Sequence, residues 1–387
     1  MSSIETLLSE IEQIASTADL SIRYRLSEQL RRLSRSIATP RQVMQYHGYM
    51  YTEHVVARIA ADLNLFAILS ENDGPLNTEE IAKKCGGDPA LIDRILRHLA
   101  STYTITEVTQ STFTANETTR LLASPAGKGN IMYGFNTLNK AFQELPDFLK
   151  ENRYRNPAQP LDTAFHRAFD TKEQFFIYVQ NVPDIIKYFY PSLTAFKSPG
   201  SWTSVVPLVE KLREADTNVP LFVDIGGGHG YQCDAFRNAT TEHVLPGRVV
   251  LQDLPGTLAE APKYEDIEMM TQDFYEKQQI QGANIYYIRQ CLHDLPDKEA
   301  KQVLQHIKDA MSPKSILLID EIVIPDTGAS PFSMQLDFTM MAFLGSTERT
   351  IKHWRELLGE VGLELAKVYQ YDTELEYSIL EAVRASS

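Results

Sequence analysis

The chain has 387 residues, more than one ordinary domain uses and enough for two with a core each. Its 43% hydrophobic, 10% aromatic and 23% charged residues are those of a globular protein, and no stretch is long and apolar enough to cross a bilayer. A formal charge of −14 gives nucleic acid or an anionic membrane little reason to bind, because counterion release needs clustered Lys and Arg.

The first residues carry acidic side chains and helical periodicity in place of the basic start and apolar run of a secretory signal, so a cytoplasmic location is expected. Ile4, Leu7, Leu8, Ile11 and Ile14 recur at helical spacing and form an apolar stripe that needs a partner, for which a second subunit is a candidate. A further helix is expected from His54 to Leu69. Asn77 with Glu80 reads as a capping box, Gly86 and Gly87 close that short helix, and Asp88-Pro89 opens a second helix carrying Leu91, Ile92, Ile95, Leu96 and Leu99. With the β-prone residues 103–114 this makes a winged-helix pattern, a fold that often holds DNA. Lys83, Lys84, Arg94 and Arg97 are matched there by Glu79, Glu80, Asp88 and Asp93, which argues against DNA. Residues 130–212 are mostly helical and rich in aromatics. Beyond Asn218 short apolar runs at 221–223, 249–251, 285–288 and 316–319 suit parallel strands buried on both faces. Cys85, Cys233 and Cys291 are widely spaced, without zinc-like clustering, and are expected to be reduced thiols; no metal site is expected.

The strongest local signal is Leu221-Phe222-Val223-Asp224-Ile225-Gly226-Gly227-Gly228-His229-Gly230, a strand running into glycines. Gly226, Gly228 and Gly230 let the backbone turn tightly and approach a nucleotide-like ligand at the carboxyl edge of the sheet. The dinucleotide fingerprint would need glycine where Tyr231 stands, so a pyrophosphate cradle is disfavoured. Asp253 ends the next strand, where a ribose could donate both hydroxyls to it. Asp273 follows the third, where a carboxylate could accept the adenine amino group and Phe274 could cover the ring.

Together the glycine segment, the 249–255 run, Asp273-Phe274, Tyr286-Tyr287-Ile288-Arg289 leading to Leu292-His293-Asp294, and Glu348-Arg349-Thr350 resemble the plant and fungal O-methyltransferases related to caffeic acid methyltransferase, from about Met44 to the C-terminus. The resemblance implies an α/β, Rossmann-like doubly wound C-terminal domain (residues 214–387) and a mainly α-helical, winged-helix-like dimerisation domain (1–125). Residues 126–213 would be a helical linker and substrate-pocket region. It implies a homodimer and contacts to S-adenosyl-L-methionine from Asp224, Gly226, Gly228, Asp253, Leu254, Asp273, Phe274 and Arg289, with S-adenosyl-L-homocysteine as product. Arg289 replaces the lysine usual in plant members, though either can hold the amino-acid end of the cofactor. His293 would be the general base, flanked by Glu321 just after the fourth apolar strand and by Glu348.

The substrate is expected to be a small aromatic or polyketide- or alkaloid-like secondary metabolite with a phenolic or enolic hydroxyl. Its wall would include Asp294, Met334, Phe338, Met340, Met341 and Phe343 with some of the aromatics Phe165 to Phe176. Leu295 stands where many members of the family have tryptophan, and Phe189-Tyr190-Pro191-Ser192-Leu193 replaces a family substrate motif, so the acceptor pocket has changed. Two other readings stay open. One is a relative of the same fold that binds the sulfonium but catalyses a pericyclic reaction without methyl transfer. The other, disfavoured by the charge balance, is a winged-helix regulator.

Overall fold

The computed structural model describes residues 3–194, 201–240 and 247–385; residues 195–200, inside the helical stretch expected at 130–212, lie outside them. The chain forms two compact units, one of residues 1–139 with 179–197 and one of residues 140–178 with 198–387.

In the first unit, helices Ile4–Thr17 and Leu20–Ile37 are capped by Ser3 and Asp19 and bury no residue of their own. The expected helix from His54 to Leu69 is two helices, Tyr51–Asp62 and Leu65–Ser70. Asn64 between them takes a left-handed backbone at φ 52°, which an Asn side chain tolerates better than most, and the turn lets Leu65, Phe66 and Leu69 all face the core. The capping box forms as expected: Asn77 Oδ1 accepts from the Glu80 amide at 3.0 Å and Glu80 Oε2 from the Asn77 amide at 2.9 Å. Gly86 closes helix Thr78–Cys85 at φ 74°. Helix Pro89–Ser101 buries Ile92, Ile95, Leu96 and Leu99, whereas Leu91 is exposed. Strands β1 (Leu76–Asn77), β2 (Thr106–Thr109) and β3 (Thr112–Thr114) pair antiparallel in the order β1-β3-β2, completing the winged helix.

The second unit is built on β4 (Phe222–Ile225), β5 (Val249–Asp253), β6 (Ile267–Thr271), β7 (Ile285–Arg289), β8 (Ile316–Ile324), β10 (Leu363–Gln370) and β11 (Tyr377–Arg384), ordered β10-β11-β8-β7-β4-β5-β6, with β9 (Arg349–Thr350) beside β8. β4 to β8 run parallel and β10-β11 is an antiparallel hairpin on one edge. This is the Rossmann-like arrangement, and both faces are packed, since alternate residues feed separate cores. Val223, Ile225, Tyr286, Ile288 and Leu317 point to one core, and Phe222, Leu251, Tyr287 and Leu318 to the other. Each such aliphatic side chain contributes roughly 1.5–3 kcal/mol on burial, which makes the sheet a rigid platform. The chain leaves β4 toward β6 and returns to β7 on the other side of β4. That reversal of strand order opens a crevice at the carboxyl ends of β4 and β7, where open α/β sheets bind ligands.

Candidate active site

The glycine loop leaves β4 with Gly226, Gly228 and Gly230 at φ 65°, 59° and 82°, conformations that L side chains rarely adopt. Gly227 is glycine for a different reason. A Cβ there would stand 2.5 Å from the Asp224 carboxylate. At Gly226 a Cβ would lie 3.0 Å from the Cys291 sulfur and 3.5 Å from the Phe274 ring, and at Gly228 it would meet none of the described residues within 4 Å. The loop therefore packs tightly beneath and opens outward at Gly228.

Asp224 is fully buried. Burial lifts its carboxyl to about 7, opposed by its contact with Cys233 and the charge of Arg289, and its Oδ1 has no hydrogen-bond partner among the described residues. Asp253, only partly buried at the end of β5, accepts from the Gly228 amide (Oδ2, 2.8 Å) and the Leu254 amide (Oδ1, 2.7 Å), which fixes it beside the loop. The Gln272 amide donates to the Asp253 carbonyl at 3.1 Å, so the ends of β5 and β6 are tied; just beyond, exposed Asp273 accepts from the Tyr275 amide at 2.9 Å. Leu254 is 51% exposed. Arg289 ends β7 and pairs with buried Asp320 at 3.1 Å. The residues expected to hold the cofactor thus gather at the carboxyl ends of β4, β5, β6 and β7. A buried carboxylate oxygen without a donor, an outward-opening glycine turn and a carboxylate fixed beside it fit an adenosyl amino acid.

His293 lies in the turn after β7 and is buried. Its Nδ1 lies 2.7 Å from Glu348 Oε1, and its Nε2 3.5 Å from Asp294 Oδ1. Glu321 Oε1 accepts from the Leu292 amide at 3.0 Å and the His293 amide at 3.3 Å, with its other oxygen 3.9 Å from Nδ1. Burial alone would lower the imidazole, but Glu348, Asp294 and Glu321 outweigh it and hold it well above the usual range. Burial pushes the other way on the acids, lifting Glu321 to about 7 and Asp294 to about 6 against the pull of His293. Glu321 does not follow its strand, as expected from the sequence, but sits inside it. β8 continues to Ile324 because Ile322, Val323 and Ile324 are also buried and its pairing with β11 reaches Ile322.

Of the expected substrate wall, Met334 (36% exposed), Phe338 (47% exposed) and half-buried Met341 share one face of helix Pro331–Leu344, at i, i+4 and i+7. Phe176 is half-buried, whereas Met340 and Phe343 are buried. Phe165 is wholly buried among Phe169, Phe175, Tyr178 and Phe343, with centroids 5.1–5.6 Å away, so it packs against other rings and is not exposed to a ligand.

Arg349 was singled out in the sequence only as part of a motif. It is fully buried and donates to the Leu292 carbonyl (2.6 Å), the Leu295 carbonyl (2.7 Å) and Asp297 (2.9 Å), pinning the turn that carries His293. Asp297 also accepts from His353 at 2.8 Å; that bond and the Arg349 charge lower its carboxyl to about 2. A buried arginine has no mark in the sequence that separates it from a surface one, apart from its place directly after Glu348.

A Rossmann-like sheet with a glycine turn and acidic strand ends beside a carboxylate-flanked histidine is the arrangement expected of an S-adenosylmethionine-dependent methyltransferase. Residues 156–364 match the O-methyltransferase domain and residues 45–125 the O-methyltransferase dimerisation domain. The chain is 35% identical over 376 residues to the O-methyltransferase lepI of Aspergillus flavus, with 96% of each covered. It is 38% identical over 330 residues to the demethylsterigmatocystin 6-O-methyltransferase of Aspergillus parasiticus, covering 85% of this chain and 84% of that one. The structure of LepI in complex with SAM superposes with a TM-score of 0.90 at 33% identity over 98% of both chains. That of OxaC with SAH and oxaline, at TM-score 0.82 and 23% identity over 98% of this chain and 97% of that one, shares the fold. The chain belongs to the S-adenosylmethionine-dependent O-methyltransferase family, in its fungal secondary-metabolism branch.

Proposed function

We propose that the protein methylates a phenolic or enolic hydroxyl of a small aromatic, polyketide- or alkaloid-like metabolite, with His293 as general base, and works as a cytoplasmic homodimer. The observation that carries the chemistry is the 2.7 Å contact between His293 Nδ1 and Glu348. A carboxylate there accepts a hydrogen bond from Nδ1–H, which fixes the tautomer and leaves the Nε2 lone pair as the base. A phenol near pKa 10 and an imidazole near 6.5 are mismatched by roughly 3.5 units, or about 5 kcal/mol. The carboxylates around His293 narrow that gap by raising the imidazole. Asp224, Gly226, Gly228, Asp253, Leu254, Asp273, Phe274 and Arg289 would hold S-adenosylmethionine, which when bound supplies a sulfonium methyl and leaves as S-adenosylhomocysteine. His293 Nε2 takes the hydroxyl proton as the oxygen–carbon bond forms and the carbon–sulfur bond breaks. Proton removal of this kind contributes about 10² to 10⁴-fold, whereas positioning the reacting atoms is worth roughly 7–11 kcal/mol, so the rigid sheet edge is the larger asset. Met334, Phe338, Met341 and Phe176 offer a flat acceptor adaptable apolar contacts, and Asp294, held near pKa 6, a polar one.

A second reading, rearrangement without methyl transfer, has support in the likeness to the structure described as a pericyclic reaction enzyme, at TM-score 0.90 and 33% identity over 98% of this chain and 99% of that one. Mass spectrometry of incubations with labelled S-adenosylmethionine and candidate acceptors separates the two. Methylation adds one CH₂ and yields S-adenosylhomocysteine, while an unchanged mass and an intact cofactor favour rearrangement. His293→Ala should slow methylation about 10² to 10⁴-fold with S-adenosylhomocysteine affinity intact. Near-normal turnover in that variant removes the base assignment.

A further inference from the structure

Asp224, Tyr287, Arg289 and Asp320 stand on one face of the sheet across β4, β7 and β8. Asp224 is registered with Tyr287 and Arg289 with Asp320, and the Ile225–Ile288 pair sets Arg289 level with the start of the glycine loop. Asp320 is fully buried and accepts from the Tyr287 hydroxyl (2.5 Å, Oδ2) and the Tyr371 hydroxyl (2.8 Å, Oδ1), besides its ion pair with Arg289 Nε. The Tyr377 ring underlies the guanidinium at 5.5 Å, stacks on Tyr371 at 5.9 Å, and is itself held by Gln290 Nε2, which donates to its hydroxyl at 3.0 Å. Asp320, itself held by two tyrosine hydroxyls, and the Tyr377 ring therefore hold the Nε side of one arginine. Its two Nη groups make no hydrogen bond among the described residues, and the side chain is 26% exposed. An arginine fork clamped on one edge offers the other to a carboxylate. The neighbouring Asp224 oxygen, buried and without a donor, is the complementary acceptor for an ammonium group. Together they match a zwitterionic amino acid.

We propose that Asp320, with Tyr371 and Tyr377, positions Arg289 to receive the carboxylate at the amino-acid end of the cofactor. The inference rests on the cofactor assignment above and adds Asp320 and the two tyrosines as positioning residues that touch no ligand. Calorimetry with S-adenosylhomocysteine and with 5′-methylthioadenosine, which lacks the amino-acid end, isolates the effect. In Asp320→Asn, affinity for S-adenosylhomocysteine should fall about tenfold or more, as expected for a displaced charge-assisted bond of roughly 1.5–3 kcal/mol, while that for 5′-methylthioadenosine stays within about twofold. Tyr371→Phe should show the same selective loss at smaller size, and it carries the test if Asp320→Asn does not fold. Combining Asp320→Asn with Arg289→Lys should add little to either alone. Equal losses for both ligands, no loss, or additive losses overturn the proposal. If the unmodified protein binds neither ligand, it is the cofactor assignment that fails.

Discussion

Gly227 and Gly228 are adjacent yet glycine for opposite reasons, and substitution should tell them apart. Gly227→Ala drives a methyl into the Asp224 carboxylate and Leu251, so the strand end must move, at a cost of about 2–3 kcal/mol seen as a lowered unfolding midpoint. Gly228→Ala meets no atom of the described residues but must hold φ 59°, costing roughly 1–2 kcal/mol, and its methyl enters open space at the turn proposed to face the cofactor. Calorimetry should therefore find it the more harmful to S-adenosylhomocysteine binding per unit of stability lost. The proposed base makes a second prediction. His293 must be neutral to accept a proton, and its neighbours hold it protonated above the usual range, so kcat should rise with pH along a limb centred above 6.5. Glu348→Gln removes a charge that raises the imidazole. That limb should move to lower pH while the plateau rate falls, and a pH profile that keeps its midpoint removes Glu348 from the base. These features were readable in unequal measure. The glycines, Asp224 and Asp253 fall in order after apolar runs, so spacing exposed them, whereas Asp273 follows Ile267–Thr271, a strand that Glu268 interrupts. Asp320 also follows an apolar run, but nothing in the spacing shows its partners, tyrosines 33 and 51 residues away.

Among the elements, the parallel strands were legible because burial on both faces leaves uninterrupted apolar runs. The β10-β11 hairpin was not: Glu364, Lys367, Glu381 and Arg384 interrupt it, and its place in the sheet comes from pairing with β8. The break at Asn64 was hidden because the apolar spacing runs on through a turn that only the backbone reveals. The turn carrying His293 depends on Arg349, and Arg349→Met would strand two buried carbonyls and Asp297. It should lower stability by about 3–5 kcal/mol in chemical denaturation and slow catalysis without contacting substrate. Asp297 sets the acid limit of the same clamp. Its carboxyl is lowered from 3.8 to about 2, so its contribution is complete above pH 4 and is lost as pH falls toward 2. In Asp297→Asn the acid-unfolding curve should flatten across that window; an unchanged curve would mean that the clamp does not govern it.

At the scale of the whole molecule, the family model for dimerisation covers 45–125, yet the two helices before it leave Ile4 73%, Leu7 48%, Leu8 52%, Ile14 55% and Ile37 72% exposed. Apolar stripes of this kind are covered in an assembly. Light scattering at micromolar concentration should give twice the 43.8 kDa chain mass, and a variant lacking residues 1–37 should dissociate at higher concentration than the full chain. A full-length monomer would contradict the homodimer.

One strand, β8, serves two masters. Asp320 and Glu321 are consecutive, so the pleat sends one carboxylate to the Arg289 side of the sheet and the other to the histidine side. Inserting or deleting a single residue upstream would exchange them, handing each chemistry the wrong neighbour. The proposed donor and acceptor sites thereby share one frame, so a change of substrate is accommodated in helices and loops with this stretch of backbone left in register.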